Sequence, residues 1–149
     1  MSIPNYLSHK PIYKIEGYAK VDSYNKNNTD VVGLSLGKAQ WEQEKFVPSV
    51  KVWRKANNRF SRQSEETTLT RALDMATLII KVLDKHYNGR EIHSIDTAFD
   101  SVKITEEISN NHKEYISELN EFLNESSNRQ ELNAHIDVLF DAINEYKKV

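Results

Sequence analysis

The sequence predicts a single α+β domain: an antiparallel sheet of about four strands, a buried central helix and a C-terminal αα-hairpin. Three observations carry this. Residues 1–63 alternate in hydropathy and are broken by polar turns. Residues 64–88 hold two neighbouring apolar stripes at helical spacing. Residues 105–148 repeat apolar side chains at helical spacing with acids between them.

In chain order, 12–21 reads as the first strand. Tyr13, Ile15, Gly17, Ala19 and Val21 fall on one side, with Lys14, Glu16 and Lys20 opposite. The polar run 22–30 is a loop. Residues 31–39 form a second strand, with Leu34 and Leu36 on the core face and glycines permitting close approach. The third strand, 49–55, sets Val50 and Val52 against Trp53 on the other side. Ala56-Asn57-Asn58-Arg59 reads as a tight hairpin, because Asn tolerates positive φ, and the fourth strand runs 59–63.

Ser64 is a suitable N-cap for the central helix, with Glu65 and Glu66 in its first turn, where the helix dipole favours acids. Leu69, Leu73, Ala76, Ile80, Leu83 and Tyr87 form one stripe and Met75, Ile79 and Val82 a second. Asn88-Gly89 ends the helix. Residues 90–104 admit either a short strand or a short helix. The last two helices meet at Ser126-Ser127, where Ser127 and Gln130 have capping-box spacing. Leu132, Ile136, Leu139, Ile143 and Tyr146 line the final helix.

The 149 residues suit one domain, 1–149, with one core. The absence of cysteine excludes a disulfide scaffold, a thiolate zinc site and a cysteine nucleophile. The longest apolar stretch, Met75 to Leu83, is interrupted by Thr77 and Lys81, so no membrane span is expected. The N-terminal residues lack a signal-peptide core, and a cytoplasmic location is expected.

Charge is segregated. Residues 1–62 hold eleven Lys/Arg against five Asp/Glu, whereas 63–149 hold nine against seventeen. Within the basic half, 51–62 carries five positive charges, no acid and two aromatics. Arginine suits phosphate and carboxylate because its guanidinium donates two parallel hydrogen bonds. A basic hairpin running into a helix N-terminus adds free backbone N–H groups.

The expected site therefore lies in 51–71. Arg54, Arg59, Arg62 and Ser64 would hold phosphate with Ser61 and Arg71 close by, Gln63 would orient the ligand, and Trp53 or Phe60 would stack on a base. The favoured function is non-enzymatic binding of an anionic, nucleotide-like small molecule. Single-stranded nucleic acid, which also needs interleaved basic and aromatic groups, is a weaker fit. In a structural alternative, Arg62 and Arg71 pair with Glu65 and Glu66 and lock the sheet to the helix.

Catalytic signatures are missing: there is no G-x-S-x-G, P-loop, G-x-G-x-x-G, H-E-x-x-H or EF-hand pattern. His86, His93 and Asp96 fit no standard ligand spacing, so neither metal nor cofactor is expected. A second function class rests on the acidic C-terminal helices, whose apolar seams suit a protein partner or a homo-oligomer interface.

The residues Lys51-Val52-Trp53-Arg54 and Arg59-Phe60-Ser61-Arg62-Gln63-Ser64-Glu65-Glu66, with L-S-L-G-K-A-Q at 34–40, resemble a segment of small uncharacterised bacterial and phage proteins of unknown function. The resemblance spans roughly 34–84 and carries over no activity or functional residue. Small phage-type proteins of this sort sometimes sequester signalling nucleotides, which extends the pocket reading to sequestration.

Overall fold

A computed structural model describes residues 3–4, 7–22, 28–44, 46–60, 65–97, 100–105 and 112–148, with the backbone alone at 48 and 112–115. The fold is mixed α+β, as the sequence predicts, and the chain forms two compact units, Met1–Thr77 and Leu78–Val149.

The first unit is an antiparallel sheet. Strand β1 (Lys10–Glu16) pairs with β2 (Val31–Lys38), and β2 with β3 (Pro48–Ala56). The other edge of β3 is shared by β4 (Arg59–Phe60) and β5 (Glu66–Thr68). The first strand stops five residues short of its expected end. Gly17 adopts φ 70° and turns the chain into a 3-10 turn at Tyr18–Lys20. Asn57 and Asn58 sit at φ 50° and 61°, so the β3–β4 turn has the left-handed pair that its sequence anticipates.

Which sheet face is buried differs from the expectation. Leu34, Leu36 and Val52 are half-buried, while Val31, Gly33, Ser35 and Gly37 of β2 are buried. On β3 the buried residues are Ser49, Lys51 and Trp53. Cross-strand register explains the exchange: Gly33 faces Trp53, Ser35 faces Lys51 and Gly37 faces Ser49. Small residues on β2 leave room for the indole on β3, so the bulky side chain is buried against the small ones. Gly37 also sits where β1 bulges between Pro11 and Tyr13, and a Cβ there would collide with the Lys10 carbonyl oxygen.

Helix α1 (Leu69–Asn88) starts five residues later than expected, because Glu66–Thr68 extend the sheet instead of forming a first helical turn. Gly89, at φ 70°, follows its end, with its N–H donating to the Lys85 carbonyl at 3.0 Å. The helix is less covered than its two stripes imply. Of its residues only Leu83 is buried, while Leu73, Met75 and Ile79 are more than half exposed.

In the second unit, residues 90–104 resolve as a hairpin of β6 (Ser94–Asp96) and β7 (Ser101–Lys103). Helices α2 (His112–Asn124) and α3 (Ser126–Lys147) form the expected C-terminal pair. They are joined by Glu125 alone, shorter than the about two to five residues of an αα-hairpin loop. Ser127 lies inside α3, so the expected capping box is absent. Instead buried Asn128 donates from Nδ2 to the Phe122 carbonyl at 2.8 Å and ties α3 back to α2.

Candidate functional site

The sheet separates the residues expected to gather in 51–71. Trp53 is 1% exposed: its indole N–H donates to Ser35 Oγ at 2.7 Å, and the rings of His9 and Phe60 pack against it in T-shaped geometry. It therefore offers no free face to a base, and Phe60, half-buried, is the aromatic nearer solvent. Arg54 lies between two carboxylates. It donates to Asp30 Oδ1 at 2.7 Å and, through Nη2, to Glu65 Oε1 at 2.9 Å. The hydrogen bond with Glu65 raises the Arg54 pKa above its usual range and holds the Glu65 carboxyl below its own.

Arg59 and Arg71 are both exposed, but they flank opposite ends of β3. Arg59 pairs with Ala56, whereas Arg71 follows Thr68, which pairs with Ser49. At about 3.3 Å per strand residue the two ends are roughly 20 Å apart. Ser61, Arg62, Gln63 and Ser64 lie outside the described residues. The basic strand does pair with a glutamate, through Arg54 and Glu65; the expected Arg62 pairing lies outside the described residues.

What the sequence conceals is a buried polar cluster in the same sheet. His9, fully buried, places Nδ1 at 2.8 Å from Glu66 Oε1 and Nε2 at 2.9 Å from Ser35 Oγ. Ser49 Oγ donates to the same Glu66 oxygen at 2.6 Å, and the Gln40 N–H donates to it at 3.1 Å. Glu66 Oε2 is buried and has no hydrogen-bond partner among the described residues. Lys51 faces Glu66 across the β3–β5 ladder and sets its ammonium 4.4 Å from the Trp53 ring centroid. Burial lowers the Lys51 pKa, and the Glu66 charge opposes that shift.

Ser35, His9 and Glu66 follow the order of a hydrolytic Ser–His–acid triad. Their setting is that of a structural network. Ser35 lies midway along β2, with β1 on one edge and β3 on the other, so sheet pairing uses the N–H groups an oxyanion hole needs. Its hydroxyl is also held by the indole N–H and is 6% exposed as a residue, beyond the reach of a substrate. Period-two alternation places Ser35, Ser49, Lys51 and Trp53 on one face; no local signal brings His9 and Glu66 to it.

In the second unit the chemistry gathers along α1, α2 and α3. His86 holds Asn120 Oδ1 at 3.1 Å from Nδ1 and Asn124 Oδ1 at 2.8 Å from Nε2, so it joins α1 to α2. The Tyr87 hydroxyl donates to the Leu123 carbonyl at 2.6 Å, and the Arg129 guanidinium lies 4.2 Å from the Tyr87 ring centroid. These contacts fix the first turns of α3 and stop there. Leu132 and Ile136 are half-buried, but from Asp137 to Lys148 every residue is exposed. That stretch includes Val138 at 70%, Phe140 at 60% and Tyr146 at 82%.

A sheet unit with an internal polar cluster, followed by a helical unit with an uncovered apolar helix face, defines a small α+β protein. The chain belongs to the DUF6530 family, a family of unknown function, whose model matches residues 1–148. No curated protein and no solved structure matches it. Among the described residues no helix is long and apolar enough to cross a membrane.

Proposed function

We propose that the protein is a non-catalytic association module that pairs with a second copy of itself through the exposed half of α3. The carrying observation is the uncovered stretch from Asp137 onward. Leu132, Ile136, Leu139, Ile143 and Tyr146 recur at three- and four-residue spacing, with Phe140 beside them, so one apolar seam runs the length of α3. Its first half is partly covered and its second half bare. A helical segment this short is marginal alone in water and draws its stability from packing an apolar face. Bare apolar seams of this kind mark contact surfaces.

Charge order selects a second copy in antiparallel orientation. The exposed stretch begins with Asp137 and Asp141 and ends with Lys147 and Lys148; Glu145 pairs with Lys148 at 2.6 Å, so Lys147 carries the charge offered to a partner. Antiparallel pairing sets the basic end of each copy beside the acidic start of the other, and two-fold symmetry needs only this one self-complementary patch. The nucleotide-like ligand expected at 51–71 has weaker support, since Trp53 is buried, Arg54 is neutralised and Arg59 and Arg71 lie apart.

Light scattering coupled to size exclusion tests the proposal. The chain should run at twice 17.3 kDa, and Phe140→Glu should run at 17.3 kDa with an unchanged circular dichroism spectrum. A monomeric wild-type chain at its highest soluble concentration would overturn the proposal, and so would a dimer indifferent to Phe140→Glu.

A further inference from the structure

The second unit contains a cavity of about 480 Å³ between the latter half of α1, the flanks of the β6–β7 hairpin and α2. This volume lies within the range of small-molecule sites, roughly 300–1,000 Å³. Helical spacing aims Leu78, Val82 and Lys85 into it from one face of α1. Ile92 and Ile104 close one side, tied by the Ile104 N–H donating to the His93 carbonyl at 2.8 Å, and α2 supplies Leu119 and its neighbours. The described apolar walls are aliphatic throughout.

Polar groups gather where α1 and α2 meet. His86 and Asn120 line that part and are bonded to each other, with Asn124 fixing the second ring nitrogen. Their hydrogen-bonding capacity is thus largely spent on holding the wall rigid. Lys85 is exposed and, among the described residues, has no ion-pair partner, so its ammonium is free to meet an anion at the mouth. An aliphatic interior with a free cation at its edge suits a hydrocarbon chain ending in a carboxylate, and among the described residues no Phe, Tyr or Trp face lines it for a nucleobase to stack on.

We infer that this cavity binds a free fatty acid, its chain against Val82, Ile104 and Leu119 and its carboxylate on Lys85. The inference does not depend on self-association, since the cavity is lined by α1, the hairpin and α2 and not by α3.

Calorimetric titration of the full chain with decanoate, below its micellar concentration, tests it, with decanol as the uncharged control. Saturable one-to-one binding of decanoate is expected. Lys85→Gln should weaken decanoate about ten- to hundredfold, as for loss of a hydrogen bond to a charged group, and leave decanol unchanged. Val82→Trp should abolish binding of both while keeping the native circular dichroism spectrum; Ile104→Phe serves as the milder filling variant if it does not fold. Absence of saturable decanoate binding would overturn the inference. Equal binding by a folded cavity-filled variant would overturn the site, and a Lys85→Gln chain indifferent to the carboxylate would overturn the anionic headgroup.

Discussion

Truncating Glu66 tests whether the polar cluster holds the sheet. Glu66 Oε1 accepts from His9 Nδ1, Ser49 Oγ and the Gln40 N–H, at 2.8, 2.6 and 3.1 Å. In Glu66→Ala the Gln40 N–H, already at an exposed contact, is recovered by water. Ser49 Oγ lies 3.0 Å from His9 Nδ1, so those two groups can serve one another with only one hydrogen between them. One buried donor therefore loses its acceptor, at about 1–3 kcal/mol. The emptied carboxylate volume and the uncompensated Lys51 charge add to this, giving roughly 3–4 kcal/mol in all. Glu66→Gln keeps a carbonyl oxygen at the same place and should cost about 1–2 kcal/mol, the burial of its unpartnered amide. Both tryptophans, Trp41 and Trp53, lie in the first unit, so urea unfolding followed by their fluorescence reports on this sheet. A Glu66→Ala cost below about 1 kcal/mol would refute the reasoning, as would parity with Glu66→Gln.

Three further outcomes follow from the sheet. Gly37→Ala forces a methyl into the Lys10 carbonyl and should destabilise the first unit by about 2–3 kcal/mol, read by the same fluorescence. Asn58→Gly relieves the steric cost of φ 61° and should raise the unfolding midpoint by the equivalent of about 0.5 kcal/mol. The Glu65 carboxyl is held below its ordinary 4.5 by Arg54, so their pair stabilises the fold above that pH and is lost as pH falls through the lowered value. Because both groups are partly exposed, Arg54→Leu should cost only about 1 kcal/mol at neutral pH. That cost should shrink in acid, and a pH-independent cost measured by urea titration would contradict the assignment.

Local chemistry made several elements legible. Consecutive asparagines marked the β3–β4 turn, Gly89 the end of α1, and alternation the strands of the front half. Burial was harder to read, because alternation shows two faces without saying which is covered. Gly33, Ser35 and Gly37 look weak as core residues until register sets them against Trp53, Lys51 and Ser49. Glu66 shows the same limit: beside Ser64 it resembles a first helical turn, yet pairing with Lys51 makes it a strand residue and the acceptor for His9, 57 residues away. Composition makes 51–62 one basic patch, but β3 spreads Lys51, Arg54 and Lys55 along its length and over two faces. The cavity of the second unit gathers residues from 78 to 123, and none of its spacings is local enough to show in the sequence.

The pairing of α3 with a second copy is tested most directly by cross-linking, since the chain has no cysteine of its own. Ile143 lies on the apolar seam near the centre of the exposed stretch, whereas Val138 is equally accessible but about 140° around the helix. Under mild oxidation Ile143→Cys should form a disulfide-linked dimer at twice 17.3 kDa, because antiparallel pairing brings its Cα close to that of the other copy. Val138→Cys should remain monomeric on a denaturing gel. Equal cross-linking at the two positions, or none at Ile143, would contradict association through this face.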